Sequence, residues 1–95
     1  MLIKDTVIVC FAYKRPYHLR KVLEALSNNP ESSYLPIIIF IDGPKNNEDV
    51  PLTNKVYEIA KRAIHFKKIE IIKSATNQGL FKSITSGINY AFKKF

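Results

Sequence analysis

The chain is 95 residues long, 46% hydrophobic and 12% aromatic, with a formal charge of +7; that apolar content suffices for one modest core and excludes a disordered polypeptide. No apolar run approaches the ~20 residues of a membrane helix, and Met1-Leu2-Ile3-Lys4-Asp5 lacks the basic-then-apolar order of a signal peptide, so a cytoplasmic setting is expected. The charge excess lies in residues 51–95, which hold nine Lys/Arg against Glu58 and Glu70, a distribution that favours solubility and attracts phosphates or other anions.

Thr6-Val7-Ile8-Val9-Cys10-Phe11-Ala12 is a continuous apolar run with β-branched residues, which predicts a buried strand. Cys10 is the single cysteine and lies inside that run, as a structural thiol rather than a nucleophile. Tyr13-Lys14-Arg15 forms the loop at the carboxyl end of the strand. Pro16 suits the first turn of a helix, where its missing N–H would have been unpaired. Leu19, Val22, Leu23 and Leu26 then recur at helical spacing opposite Arg20, Lys21 and Glu24. They predict an amphipathic helix ending near Ser27-Asn28-Asn29-Pro30.

Pro36-Ile37-Ile38-Ile39-Phe40-Ile41 is too apolar for a strand with one wet face, so it reads as the central strand of a parallel sheet. It ends in Asp42-Gly43. Open α/β sheets bind ligands at the carboxyl ends of their strands, which makes Asp42 a candidate; the alternative is a carboxylate that only caps an Asp-Gly turn. A polar loop, residues 44–49, follows. Asp49 is expected to cap a second helix opened by Pro51, with Leu52, Val56, Ile59, Ala60 and Ala63 inward, running to about His65. Lys68–Lys73 alternates more than the other strands and is expected at a sheet edge. The loop 74–79 leads to a third helix with apolar positions Leu80, Ile84, Ile88, Ala91, Phe92 and Phe95. Gly87 on that face indicates close approach to the sheet.

The order β-α-β-α-β-α with short connections predicts an α/β fold, half of a doubly wound, three-layer Rossmann-like sheet with parallel strands in the order 3-2-1. The first strand then lies at an edge although its composition is that of a buried strand. A neighbour beside Thr6–Ala12 is expected, from further chain or another subunit, and the isolated chain is expected to self-associate there.

Three loops converge at the carboxyl rim: Ala12-Tyr13-Lys14-Arg15, Asp42-Gly43, and Asn77-Gln78-Gly79 with Lys82 one helical turn on. They offer an aromatic, cations, a carboxylate and backbone donors, the parts that hold a base, a ribose and a phosphate. Each has a plainer reading, Tyr13 as a packed rim aromatic and Lys14 and Lys82 as solvated charges. G-x-x-x-x-G-K-[ST] is absent, and the first turn has no glycine, so neither a P-loop nor a dinucleotide fingerprint is present. His18 and His65 stand on separate helices without companion ligands, which disfavours a metal site. No nucleophile–base pair stands out.

The segments Val7–Leu23, Pro36–Gly43 and Asn77-Gln78-Gly79-Leu80 together resemble the N-terminal nucleotide-binding half of the GT-A glycosyltransferases. The chain is similar to the bacterial family 2 enzymes and, in Arg-Pro-Tyr-x-Leu-Arg, to N-acetylglucosaminyltransferase I. The resemblance implies that Ala12 and Tyr13 line the uracil or other base, with Arg15 near the base or diphosphate. Asp42 would accept hydrogen bonds from the base, and Asn77, Gly79 and Lys82 would flank the nucleotide. It also implies a nucleoside diphosphate sugar donor, UDP-sugar favoured, an acceptor sugar or other hydroxyl, and Mg²⁺ or Mn²⁺ on the diphosphate. The family's Asp-x-Asp metal motif has no counterpart here. Residues 1–95 are therefore expected to be one nucleotide-recognition subdomain of a longer enzyme, with no catalytic or metal residue of its own and inactive alone. Two other readings stand beside it: a non-catalytic basic module holding nucleic acid or another polyanion through residues 51–95, and a complete small flavodoxin-like or regulator domain.

Overall fold

A computed structural model describes residues 7–94. Its elements are β1 (Ile8–Ala12), α1 (Pro16–Ser27), a 3₁₀ turn (Pro30–Tyr34), β2 (Pro36–Ile41), a second 3₁₀ turn (Asn47–Asp49), α2 (Val50–Lys61), β3 (Lys68–Lys73) and α3 (Leu80–Lys94). Thr6 and Phe95, expected in the first strand and third helix, lie outside the described residues, as does the side chain of Leu80.

The three strands form one parallel sheet in the order β1-β2-β3. Ile37, Ile38, Ile39 and Ile41 of the middle strand are each at most 1% exposed, which is why this segment reads as an unbroken apolar run: both faces are covered. Ile37, Ile39 and Ile41 meet Leu19 and Leu23 of α1, Val56 and Ala60 of α2, and Phe66. On the opposite face Phe40 stacks on Phe11 of β1, ring centroids 5.4 Å apart, and takes the edge of Tyr90 from α3 at 5.9 Å. Gly87 is required here. A Cβ at that position would lie 2.7 Å from the Phe11 ring and 3.2 Å from that of Phe40, so only a glycine lets the helix come so close.

The helices depart from their sequence patterns in three places. α2 ends at Lys61 rather than near His65. Its last turn tightens into i→i+3 bonds, Arg62 N–H to the Ile59 carbonyl at 3.1 Å and Ala63 N–H to Ala60 at 3.2 Å, and the chain then tucks Phe66 into the core. Thr53 takes the inner position expected of Leu52: it is 1% exposed, and its hydroxyl is satisfied by the Val50 carbonyl at 3.1 Å. On α3, Gly87 and Ala91 face inward, whereas Ile88 is 43% and Phe92 81% exposed. Those two follow the helical period but sit on its flank.

Register places the site. Ala12 pairs with Ile41 and Ile41 with Lys73, so all three strands end at one level. The ladder continues one step beyond, Asp42 N–H to the Ala12 carbonyl and Ser74 N–H to that of Ile41, both 2.9 Å. The residues after each strand therefore share one rim.

Candidate functional site

The centre of the rim is the Asp42 carboxylate. The residue is 7% exposed and accepts four hydrogen bonds from its own chain. Oδ1 receives the backbone N–H of Gly43 and of Gln78, both at 2.8 Å. Oδ2 receives the Gly79 N–H at 3.0 Å and the Asn77 side-chain amide at 3.2 Å. A carboxylate has about four lone-pair sites, so this one is filled. Charge-assisted bonds of this kind are the strong ones, and they pull the loop before α3 onto the end of β2.

Two glycines make that arrangement possible. Gly79 has φ +85°, which turns its N–H to Asp42 while its carbonyl receives the Ser83 N–H at 3.0 Å and starts α3. At Gly43 a Cβ would fall 2.5 Å from the Thr76 carbonyl carbon, so the two loops touch backbone to backbone. The Asn77 amide closes the contact by also donating to the Gly43 carbonyl at 3.1 Å.

A second carboxylate lies beside the first loop. Asp49 was expected to cap α2, but its side chain makes no capping bond there. The Asn46 side chain instead accepts the Asp49 N–H at 3.2 Å, and the 3₁₀ turn leads directly into the helix. That frees the Asp49 carboxylate to point back at β1. It accepts the Tyr13 hydroxyl and the Lys45 N–H, the latter at 3.2 Å, and pairs with Lys14 Nζ at 3.5 Å. The Tyr13 hydrogen bond, with help from the Lys45 N–H and the Lys14 charge, holds the Asp49 carboxyl below the usual carboxylate range against the opposing effect of its burial. The same bond raises the Tyr13 phenol above its ordinary value. Asp49 thus fixes the aromatic ring of the first loop, a role the sequence hides because a polar residue before a helix is a cap by default.

A cleft of about 710 Å³ opens below these loops along β1. Ala12, Tyr13, Arg15 and Asp42 line it, together with His18 from α1 and Ser83 from α3. Of the expected binding residues, the structure brings these four to the cleft and ties Asn77 and Gly79 to Asp42 behind it. Lys82 is exposed and does not line the cleft. Arg15 is also exposed, and its guanidinium has no ion pair among the described residues. Ser83 was not singled out from sequence. One turn past Gly79, it reaches the cleft only because the loop is latched.

Family models, curated proteins and solved structures yield no match to this chain. The functional reading therefore rests on the rim itself. Among the described residues no three His, Cys, Asp or Glu side chains gather as metal ligands. Asp42 has four intrachain donors, and Asp49 is bonded to the Tyr13 hydroxyl, the Lys45 N–H and Lys14.

Proposed function

We propose that this chain is the nucleotide-recognition part of a GT-A-type glycosyltransferase, the Rossmann-like half of a three-layer fold with its strands in the order 3-2-1. The observation that supports it most is the latched rim: three strand-end loops held together by Asp42 around a cleft lined by Tyr13 and Arg15. The complete enzyme would move a sugar from a nucleoside diphosphate, UDP-sugar favoured, to an acceptor hydroxyl. Residues 1–95 would supply donor recognition and no catalytic group. The Mg²⁺ or Mn²⁺ of such an enzyme, which neutralises the leaving diphosphate, would be held by residues other than these.

In this reading the Tyr13 ring, fixed by Asp49, forms one wall for the base. The unpaired Arg15 guanidinium faces the phosphates, where its planar donors give bidentate contacts. Asp42 reads the base by exchange. Its longest bond is the 3.2 Å one from the Asn77 amide, and a base N–H takes that acceptor position while Asn77 keeps the Gly43 carbonyl. Lys82 stands outside the cleft and adds only a diffuse attraction for anions.

Titrating the ¹⁵N-labelled chain with UDP tests the proposal. Shifts should concentrate at Tyr13, Arg15, Asn77 and Gly79, with weak affinity. Shifts confined to the α2–β3 surface would instead favour a general polyanion site on the lysines of residues 51–95. Part of that surface is already engaged, since Lys61 and Lys73 both lie over the Tyr57 ring, at 4.7 and 4.8 Å. A polyanion complex would also weaken steeply with salt whatever residue 42 is.

A further inference from the structure

The amino-terminal ends of the strands also lie at one level, since Pro36 of β2 pairs with Lys68 of β3 and Ile37 with Ile8 of β1. Because α1 and α2 connect parallel strands, both helices return to that end and finish there. A groove of about 510 Å³ opens between them, at the opposite end of the sheet from the rim. Leu23, Ile59 and Ala63 line it together with Arg20, Arg62 and His65, and Glu24 is the one carboxylate among its described lining residues. Its two walls are helices packed on each other, so neither is the unpaired side of β1.

The chain from Lys61 to Lys68 reads Lys-Arg-Ala-Ile-His-Phe-Lys-Lys and holds no acid. Its two large apolar residues are placed oppositely. Phe66 is drawn into the core at 8% exposure, whereas Ile64 stays 79% exposed on the wall of the groove. Arg62, Lys67 and Lys68 flank Ile64 in the chain, and Arg20 lines the same groove from α1. All four cations are exposed and form no ion pair among the described residues. The α2 macrodipole accounts for Arg62 at its carboxyl end, and Lys68 guards an edge strand. Neither accounts for an aliphatic side chain left in water among them. Tyr34, 67% exposed, belongs to the same end, because Lys67 donates its N–H to the carbonyl of the adjoining Leu35 at 3.0 Å.

We propose that this end of the molecule docks on an anionic membrane surface, with lipid phosphates on the guanidinium groups of Arg20 and Arg62 and with Ile64 immersed at the headgroup boundary. An exposed aliphatic side chain among unpaired cations is complementary to such a surface in both respects. A nucleic acid or a free polyphosphate would satisfy the cations and leave Ile64 in water, whereas an acidic lipid layer takes both. Tyr34 adds an amphipathic ring of the kind that settles at that depth. Each Lys or Arg close to an anionic leaflet strengthens binding about fivefold. Four of them with one aliphatic residue suit reversible, peripheral attachment rather than permanent anchoring. β2 has six residues, so the carboxyl rim then stands about 20 Å beyond the docked end, open to soluble ligands. The docking is independent of what the rim binds.

Co-sedimentation with vesicles tests this, using phosphatidylcholine alone and an equimolar mixture with phosphatidylserine. The chain should bind the mixed vesicles and not the neutral ones. Ile64→Ser changes a side chain that is 79% exposed, so the variant keeps the native circular dichroism and should bind the mixed vesicles about tenfold more weakly. Arg62→Ala/Lys67→Ala should lose about tenfold or more, whereas Lys45→Ala/Lys55→Ala, an equal loss of charge after β2 and early in α2, should stay within about twofold of wild type. No binding to the mixed vesicles, undiminished binding by Ile64→Ser, or equal losses for the two double variants would each overturn the proposal. So would an oligonucleotide that binds more tightly than the mixed vesicles and does so whatever residue 64 is, which would assign the surface to a polyanion.

Discussion

Asp42 shows how one side chain can organise a site without being free to react. Its four N–H donors come from residue 43 and from residues 77–79, so removing the carboxylate takes the partner from three backbone amides at once, that of buried Gly43 and the partly buried bonds of Gln78 and Gly79. Asp42→Ala should cost about 2–4 kcal/mol in urea unfolding and should release the Gln78 and Gly79 amides to fast exchange. A loss under 0.5 kcal/mol with those amides still protected would show that the loop holds itself. The location of Asp42 at the end of the central strand was legible in sequence. Its saturation was not, because three of the donors lie 35 to 37 residues away and local patterns carry no such contact.

Asp49 and Tyr13 make a pH prediction at the same scale. Asp49 titrates below its unfolded value, so its contribution is complete above the ordinary carboxylate pKa of about 4 and disappears as pH falls through the lowered folded value. Tyr13 titrates above its unfolded value, so its contribution is complete below about pH 10 and is lost as pH rises through the raised folded value. Tyr13→Phe should flatten stability against pH at both ends. An unchanged profile would mean that the pair adds nothing to folding.

Elements were legible to different degrees. The strands announced themselves because both faces of β2 are covered, on one side by α1 and α2 and on the other by α3, so composition alone marks them. Helix ends and flanks were harder. Ala63 and Ile64 continue the apolar pattern of α2, but burying Phe66 tightens the turn and stops the helix early. On α3 the period admits two adjacent stripes, and only the contact of Gly87 with Phe11 and Phe40 decides which one faces the sheet. Gly87→Ala measures that contact directly. On a free helix the change would be worth up to ~1 kcal/mol in stability, yet a Cβ 2.7 Å from the Phe11 ring should force α3 outward and give a net loss of about 1–2 kcal/mol. A stabilised variant would show that the helix rides higher than described.

At the scale of the whole molecule the fold has two unequal regions. The carboxyl rim is latched by Asp42 and Asp49, while β1 is apolar and, among the described residues, pairs on one side only. The first region carries the proposed nucleotide site, and the cleft beneath Tyr13 runs from it along β1. The surplus of basic residues in 51–95 belongs to neither. It lies mainly on exposed faces of α2, β3 and α3, and it makes the central claim open to a charge-matched comparison. That comparison is the UDP dissociation constant, read from ¹⁵N shifts, of Arg15→Ala beside Lys61→Ala. Loss of a charge-assisted contact at the rim should weaken binding about tenfold or more for Arg15→Ala, with Lys61→Ala within about twofold of wild type. Equal losses for the two, or none for Arg15→Ala, would contradict a nucleotide site at this rim.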